Sequence, residues 1–193
     1  PLDSSAASDV YKRQKFMFLL AIVASSVTPT KVATSVLSSN TQIEEEVRCL
    51  AENIYFEARN ESVMGQIAVA YVTLNRVFAK KHPNTICAVV KQGEYRESWK
   101  TRATEDPNDA IFVPVKDRCQ FSWYCDGKSD KILDLVAWKS ATNVAAMVTV
   151  EYGSDRHNDP TDGALWYHAD YVQSKFHSKL SYTTTIGTHI FYR

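Results

Sequence analysis

The segment IYFEARNE, residues 54–61, sets two carboxylates, Glu57 and Glu61, four positions apart where an apolar helical stripe runs out. Ile43, Val47, Leu50, Ile54 and Ala58 recur at steps of three and four, the spacing of one helix face. Glu57 follows Ile54 by three residues and Leu50 by seven, so it falls on that face and not on the solvated side. A carboxyl held among apolar groups loses hydration, which raises its pKa. An acid that keeps its proton near neutrality can donate it to a leaving group. The competing reading is structural: a buried glutamate satisfied by an arginine such as Arg59 or Arg76.

The elements that must hold this acid follow from periodicity and from breakers. A first helix is expected from Thr41, where Thr41 and Glu44 make a capping box, to Ala58 or Arg59. Asn60 tolerates the left-handed conformation and is expected to end it. A second helix opens on Ser62 as N-cap and carries Val63, Ile67, Ala70, Tyr71, Leu74, Val77 and Phe78 as its stripe. It must stop by His82, because the residue before Pro83 is pushed away from helical angles. A short third helix is expected from Asn84 or Thr85 to Gly93. Residues 94–110 show no period and read as a surface insertion or a substrate-facing loop. Trp99 there is either an aromatic platform or a packing residue. Residues 111–124 have β-rich composition, DGKSD is a turn, and a long helix spans about Asp134 to Tyr152 before Gly153. ALWYHADY reads as a strand, and SYTTTIGTHIFYR as two short strands meeting at Gly187. Helices first, a β segment, one long helix and a β-rich end describe a single α+β domain.

Composition bounds the function classes. The chain has 193 residues, 45% of them hydrophobic, and its 22 basic residues balance 22 acidic ones. That balance gives no support for a nucleic-acid partner. Residues 1–40 are read as leader and 41–193 as the folded domain. PLDSSAASDVYKRQ resembles translated adapter sequence and is set aside. Lys12, Arg13 and Lys15 then precede FMFLLAIVA, too short to span a bilayer, and small residues follow. This is the layout of a secretory signal, with an uncleaved anchor contacting the membrane as the alternative. A Ser/Thr-rich linker, Ser25 to Thr41, leads into the domain, which is expected to be secreted, periplasmic or otherwise in the cell envelope. In an exported chain the four cysteines suggest disulfides. Cys119 with Cys125, closing a short loop, and Cys49 with Cys87 are the favoured pairs of three possible pairings. No CxxC occurs, so zinc is disfavoured, and no metal or cofactor is expected.

Four blocks, IYFEARNESVMGQIAVAYVTLNRV, CQFSWYCDG, DGALWYHADYV and TIGTHIFYR, resemble the cell wall hydrolase family typified by the spore cortex-lytic enzyme SleB. They occur in the family's order and cover most of residues 47–193. The resemblance implies a lysozyme-like catalytic domain acting on peptidoglycan, cutting its glycan strand as a lytic transglycosylase. An older family description is cell wall amidase. By match to the family's EAR-x-E motif, the catalytic acid falls on Glu57 and the second acidic position on Glu61. Asn60 stands where the family commonly has Gly. The loop at 94–110 is longer than the compact family core. Gln120, Ser122, Tyr124, Tyr167 and His168 lie in the matching blocks and are candidate sugar contacts, since sugars are held by side-chain hydrogen bonds and aromatic faces. Tyr167 and His168 are favoured, because WYH alternates faces on a strand. His189 is read as structural.

The chemistry can also be argued without the family. Glycosidic cleavage needs an acid to protonate the leaving oxygen, and hydrolysis usually adds a second carboxylate across the bond. A lytic transglycosylase needs one, because the C6 hydroxyl of muramic acid is the nucleophile. Two acids on one helix face do not readily flank a bond from opposite sides, which favours the single-acid route. Glu61 is then a supporting residue, a salt-bridge partner or a cap for the second helix. Glu57 also falls in the last helical turn, where unpaired carbonyls favour the protonated form. The alternatives are an N-acetylmuramoyl-L-alanine amidase or muramidase-type hydrolase, a zinc amidase or peptidase suggested by four histidines in the last third, and a non-catalytic wall-binding module. A monomer is expected.

Overall fold

Leu50, Ala51, Ile54 and Ala58 are buried along one side of the longest helix, α1 (Pro29–Ala58). This computed structural model describes residues 29–101, 107–154, 158–173 and 179–193. The leader and signal segment expected before residue 29 lie outside the described residues. The helix starts at Pro29, not at Thr41, so the end of the supposed linker is helical and Thr41 lies inside the helix instead of capping it. Proline at the first helical position loses no intrahelical bond. No Gly or Pro interrupts residues 30–58, and a nucleated helix propagates residue by residue. Asn60 is not left-handed. The helix ends in a turn in which the Glu61 N–H donates to the Ala58 carbonyl at 3.0 Å.

The second helix, α2 (Val63–Phe78), starts where expected, with the Ser62 hydroxyl accepting from the Gly65 N–H at 3.3 Å. Its sequence stripe understates its burial. Ala68 to Val72 are all buried in succession, because one side packs into the main helical core and the other against the final strands. Val63, counted in the stripe, is exposed. A short α3 (Ile86–Val90) is capped by Thr85 and by the Glu46 carboxylate of α1, which accepts from the Ile86 and Cys87 N–H groups at 2.5 and 3.2 Å. The Cys49–Cys87 disulfide joins α1 to α3, and Cys119–Cys125 closes the short loop, as the favoured pairing had it.

The segment assigned to a loop from residue 94 contains a strand. β1 (Gly93–Glu97) pairs antiparallel with β2 (Phe112–Cys119). Its central residues are exposed on both faces, so no apolar alternation marks it in the sequence. After β2, a 3₁₀ turn covers Ser122–Cys125. The long helix α4 (Leu135–Tyr152) is capped by Asp134, whose Oδ1 accepts from Val136 and Ala137 at 3.0 Å each. The Tyr55 hydroxyl of α1 accepts from the Leu133 and Asp134 N–H groups and ties the start of α4 to α1. The end of the chain forms a three-stranded antiparallel sheet in the order β3 (Trp166–Ala169), β5 (His189–Tyr192), β4 (Tyr182–Ile186). Helices carrying most of the core and two small sheets make the mixed α+β domain that the sequence implies. Among the described residues, no helix is long and apolar enough to cross a membrane.

Candidate active site

Glu57 is the penultimate residue of α1, half-buried and facing a cleft of about 510 Å³. The cleft is walled by Phe56 and Glu57 from α1, by Arg76 from α2, and by residues from the 119–128 segment. Its far side comes from β3, through Tyr167 and His168, and from His189 at the start of β5. Five segments, from α1, α2, the 119–128 stretch, β3 and β5, therefore meet around one carboxyl.

The hydroxyl of Tyr167 donates to Glu57 Oε2 at 3.0 Å. Burial pushes the Glu57 carboxyl above its ordinary value, and the Tyr167 bond and the nearby Arg76 guanidinium pull less strongly the other way. Tyr167 itself titrates well above an ordinary phenol, through burial first and the neighbouring Glu57 second. Its ring packs between the two cores, with ring centroids 5.6 Å from Phe191 and, nearly perpendicular, 5.1 Å from His189. Register places it there: Tyr167 pairs with Phe191 across the β3–β5 ladder.

The approach to β3 is set by α2. Asn75 Nδ2 donates to the Ala164 carbonyl at 3.2 Å and to Asp159 Oδ2 at 2.8 Å. Arg76 Nε donates to the Leu165 carbonyl at 2.8 Å, and its guanidinium lies 4.8 Å from the Phe121 ring centroid. The structural alternative for Glu57 needed an arginine partner. Among the described residues the ion pairs are Arg48–Glu52, Lys128–Asp126 and Arg193–Asp162, and none involves Glu57. Arg59 is exposed and sits over the Tyr55 ring, 5.3 Å away.

The two carboxylates of the EAR-x-E segment part company. Glu61 does not line the cleft. Its Oε1 accepts from the Thr188 hydroxyl at 2.5 Å and its Oε2 from the Thr188 N–H at 3.2 Å, which ties the start of α2 to the β4–β5 turn. The Thr188 hydroxyl bond holds this carboxyl below its ordinary value. Gln120, Ser122, Tyr167 and His168 line the cleft. Tyr124 does not: its hydroxyl accepts from the Tyr95 hydroxyl at 3.2 Å. His168 Nδ1 donates to the Ala169 carbonyl at 2.8 Å, and Nε2 meets the Tyr192 hydroxyl at 3.1 Å over a stacked ring pair. Trp99 is exposed and lies outside the cleft lining.

Several cleft residues were not singled out in the sequence. The sequence presents Arg76 only as a structural partner, although a charged residue inside the apolar run of α2 is a signal. Trp123 sits between Cys119 and Cys125, where loop closure draws attention to it. Asp126 and Lys128, paired at 3.2 Å, carried no signal within a turn. His189, structural on the sequence reading, also lines the cleft. It is buried, its Nδ1 has no hydrogen-bond partner among the described residues, and burial lowers its pKa. His157 and His177 lie outside the described residues. Among the described residues, no group of three His, Cys, Asp or Glu side chains is placed to hold a metal.

An α+β domain with a carboxyl of raised pKa lining an open cleft has the form of an enzyme's active site. Residues 60–192 match the Cell Wall Hydrolase family model, and the chain belongs to that family. The match begins just after Glu57. A 47-residue stretch is 40% identical to the spore cortex-lytic enzyme of Bacillus cereus, covering 24% of this chain and 18% of that protein. A 45-residue stretch is 42% identical to the spore cortex-lytic enzyme of Bacillus subtilis strain 168, covering 23% of this chain and 15% of that protein. The chain thus spans less than a fifth of these relatives' length. Among solved structures, the catalytic domain of the Bacillus cereus SleB protein is 26% identical, with 78% of this chain and 91% of that one covered and a TM-score of 0.48. The catalytic domain of the germination-specific lytic transglycosylase SleB from Bacillus anthracis gives 26%, 77%, 93% and 0.48.

Proposed function

We propose that this domain cleaves the glycan strand of peptidoglycan as a lytic transglycosylase, with Glu57 as general acid and then general base. The observation that carries the reading is the setting of Glu57: its pKa raised by burial, its carboxylate bonded by Tyr167, free of an ion pair among the described residues, and open to a cleft. Glu57 gives its proton to the glycosidic oxygen, and the bond from that oxygen to the muramic C1 breaks. The C6 hydroxyl of the same muramic residue bonds to C1. Its proton passes to the Glu57 carboxylate, so the acid is regenerated and no water is consumed. Tyr167 supports both states, because its hydroxyl keeps donating to the carboxylate when the proton has left. Engagement of Glu61 with Thr188 supports a single-acid route, with Glu61 holding the helix junction to the final sheet.

The family description and the cortex-lytic names of the sequence relatives support a peptidoglycan substrate. Two disulfides fit action outside the cytoplasm, as expected for residues 41–193 following an export signal. A second reading has one specific support. Asp126 also lines the cleft, and the backbone N–H of Lys128 holds its carboxyl below the ordinary value, so a muramidase could use it as the second carboxylate. Mass spectrometry of muropeptides released by wild type, Glu57→Gln and Asp126→Asn separates the readings. The transglycosylase gives 1,6-anhydro muramic ends, one water lighter than hydrolysis products, and tolerates Asp126→Asn. Reducing muramic ends that vanish in Asp126→Asn would establish the muramidase, and release of free stem peptides an amidase.

A further inference from the structure

Among the described residues, a polar side chain is buried in the stripe of α1 without belonging to the acid's own hydrogen bonding. Asn53 is fully buried, one helical turn before Glu57 and therefore on its face. A buried amide is costly unless its bonds are made, and those of Asn53 are made in one direction. The Trp123 indole N–H donates to Asn53 Oδ1 at 2.9 Å. Asn53 Nδ2 donates to Thr73 Oγ1 at 3.0 Å, and the Thr73 hydroxyl donates to the Val69 carbonyl at 3.1 Å. The chain begins at the cleft and ends in the backbone of α2.

Trp123 is the cleft end of this chain. Its single polar atom is turned inward to Asn53, so what it offers the cleft is aromatic carbon. Phe56, the residue before Glu57, stacks on it with centroids 4.5 Å apart and planes 21° from parallel. Trp123 also lies on the 3₁₀ turn whose backbone is closed by Cys119–Cys125. Three restraints thus hold one half-buried indole: a hydrogen bond from α1, a stacked ring from α1 and a disulfide-closed loop. Packing alone would not require a buried asparagine; a leucine would fill the site without it. The arrangement makes sense if the angle of the ring matters.

We propose that Trp123, backed by Phe56, is a pyranose-stacking subsite beside Glu57, and that Asn53 is the positioning residue that sets its plane. A pyranose turns a patch of C–H groups to one side and its hydroxyls outward. A flat aromatic surface accepts the first without competing for the second. The ligand class is a β-linked N-acetylhexosamine unit of a glycan strand. Because Asn53, Phe56 and Glu57 share one helix, the platform and the acid keep a constant relation, which is what holding a glycosidic oxygen near a proton donor requires. The proposal rests on the glycan-cleaving reading of the cleft.

The test uses the full chain, isolated cell walls as substrate, and N-acetylglucosamine oligomers as the binding probe. In the Glu57→Gln background, Trp123→Ala is expected to weaken oligomer binding about tenfold and Trp123→Phe about two- to fivefold. In the active enzyme the same changes raise KM more than they lower kcat. Thermal melts establish folding, and if Trp123→Ala does not fold, Trp123→Phe carries the test. Asn53→Leu is expected to raise KM about as much as Trp123→Phe and to add nothing further to KM in the double variant, since no indole N–H is left to hold. A purely structural Asn53 would lower Tm in both backgrounds and leave KM unmoved. Folded Trp123→Phe and Trp123→Ala with unchanged oligomer affinity and KM, while Glu57 remains essential for wall lysis, would overturn this subsite alone. Wall lysis unaffected by Glu57→Gln would overturn the glycan-cleaving reading beneath it.

Discussion

Glu57 and Glu61 are the same residue type, one helical turn apart in sequence, and the fold drives their carboxyls in opposite directions. Glu57 remains on the helix, enters the cleft between α2 and β3, and burial raises its pKa. Glu61 lies just past the helix end, meets the hydroxyl and N–H of Thr188, and its pKa falls. Desolvation dominates one and hydrogen bonding the other. The first carboxyl is suited to proton transfer and the second to fastening α2 to the β4–β5 turn. A motif that presents two acids therefore need not present two catalysts.

The largest expected break in this contrast is Glu57→Gln, which should lower wall-lytic kcat by about 10²–10⁴-fold, the range for loss of a general acid. The same variant should be more stable than wild type at neutral pH. The sign follows from the raised folded pKa: between the unfolded carboxylate value and the raised one, the folded state binds more protons than the unfolded. Stability therefore falls as pH rises through that window. Thermal melts from pH 4 upward should show the gain of Glu57→Gln growing with pH; an equal gain at every pH would contradict a raised pKa.

Next in size is Gly187→Ala at the turn that receives Glu61. Gly187 has φ +59°, and a Cβ there would collide with Glu61 Oε2. The strain should cost about 1–3 kcal/mol, read as a lowered denaturation midpoint, with activity lost in proportion to unfolding. Tyr167→Phe comes third. It removes the bond that lowers the pKa of Glu57, so the alkaline limb of the pH–rate profile should move up while kcat falls about tenfold. A downward shift would contradict the hydrogen bond's role. The smallest effect is Glu61→Gln. The pair with Thr188 is partly solvated, so its loss should cost under about 1 kcal/mol. Because the folded pKa of Glu61 is depressed, that difference should be present above the ordinary carboxylate range and fade as pH falls through the folded value.

Local signals were enough for much of the architecture. Ser62, Thr85 and Asp134 cap helices where their types suggest, and Gly187 turns the final hairpin. Capping and tight turns depend on bonds within a few residues, so they can be read along the chain. Thr41 shows the limit. A capping box reports that a helix could begin there, not that an earlier nucleus has failed, and α1 runs through it. β1 shows another, since a strand in an exposed ribbon has no core face to impose period two.

The sequence by itself determined that Glu57 would lie on the apolar side of a helix and in its last turn, because helical geometry assigns faces from spacing alone. It also brought Tyr167 and His168 forward as site candidates. Only the tertiary structure decided which residues meet the acid. Arg76, Trp123 and Tyr167 come to it from α2, a disulfide-closed turn and β3, held there by Asn53, Asn75 and the Leu165 carbonyl. The fates of Glu57 and Glu61 were settled at the same level. Desolvation and hydrogen bonding arise from partners up to 127 positions away, and no local periodicity carries that information.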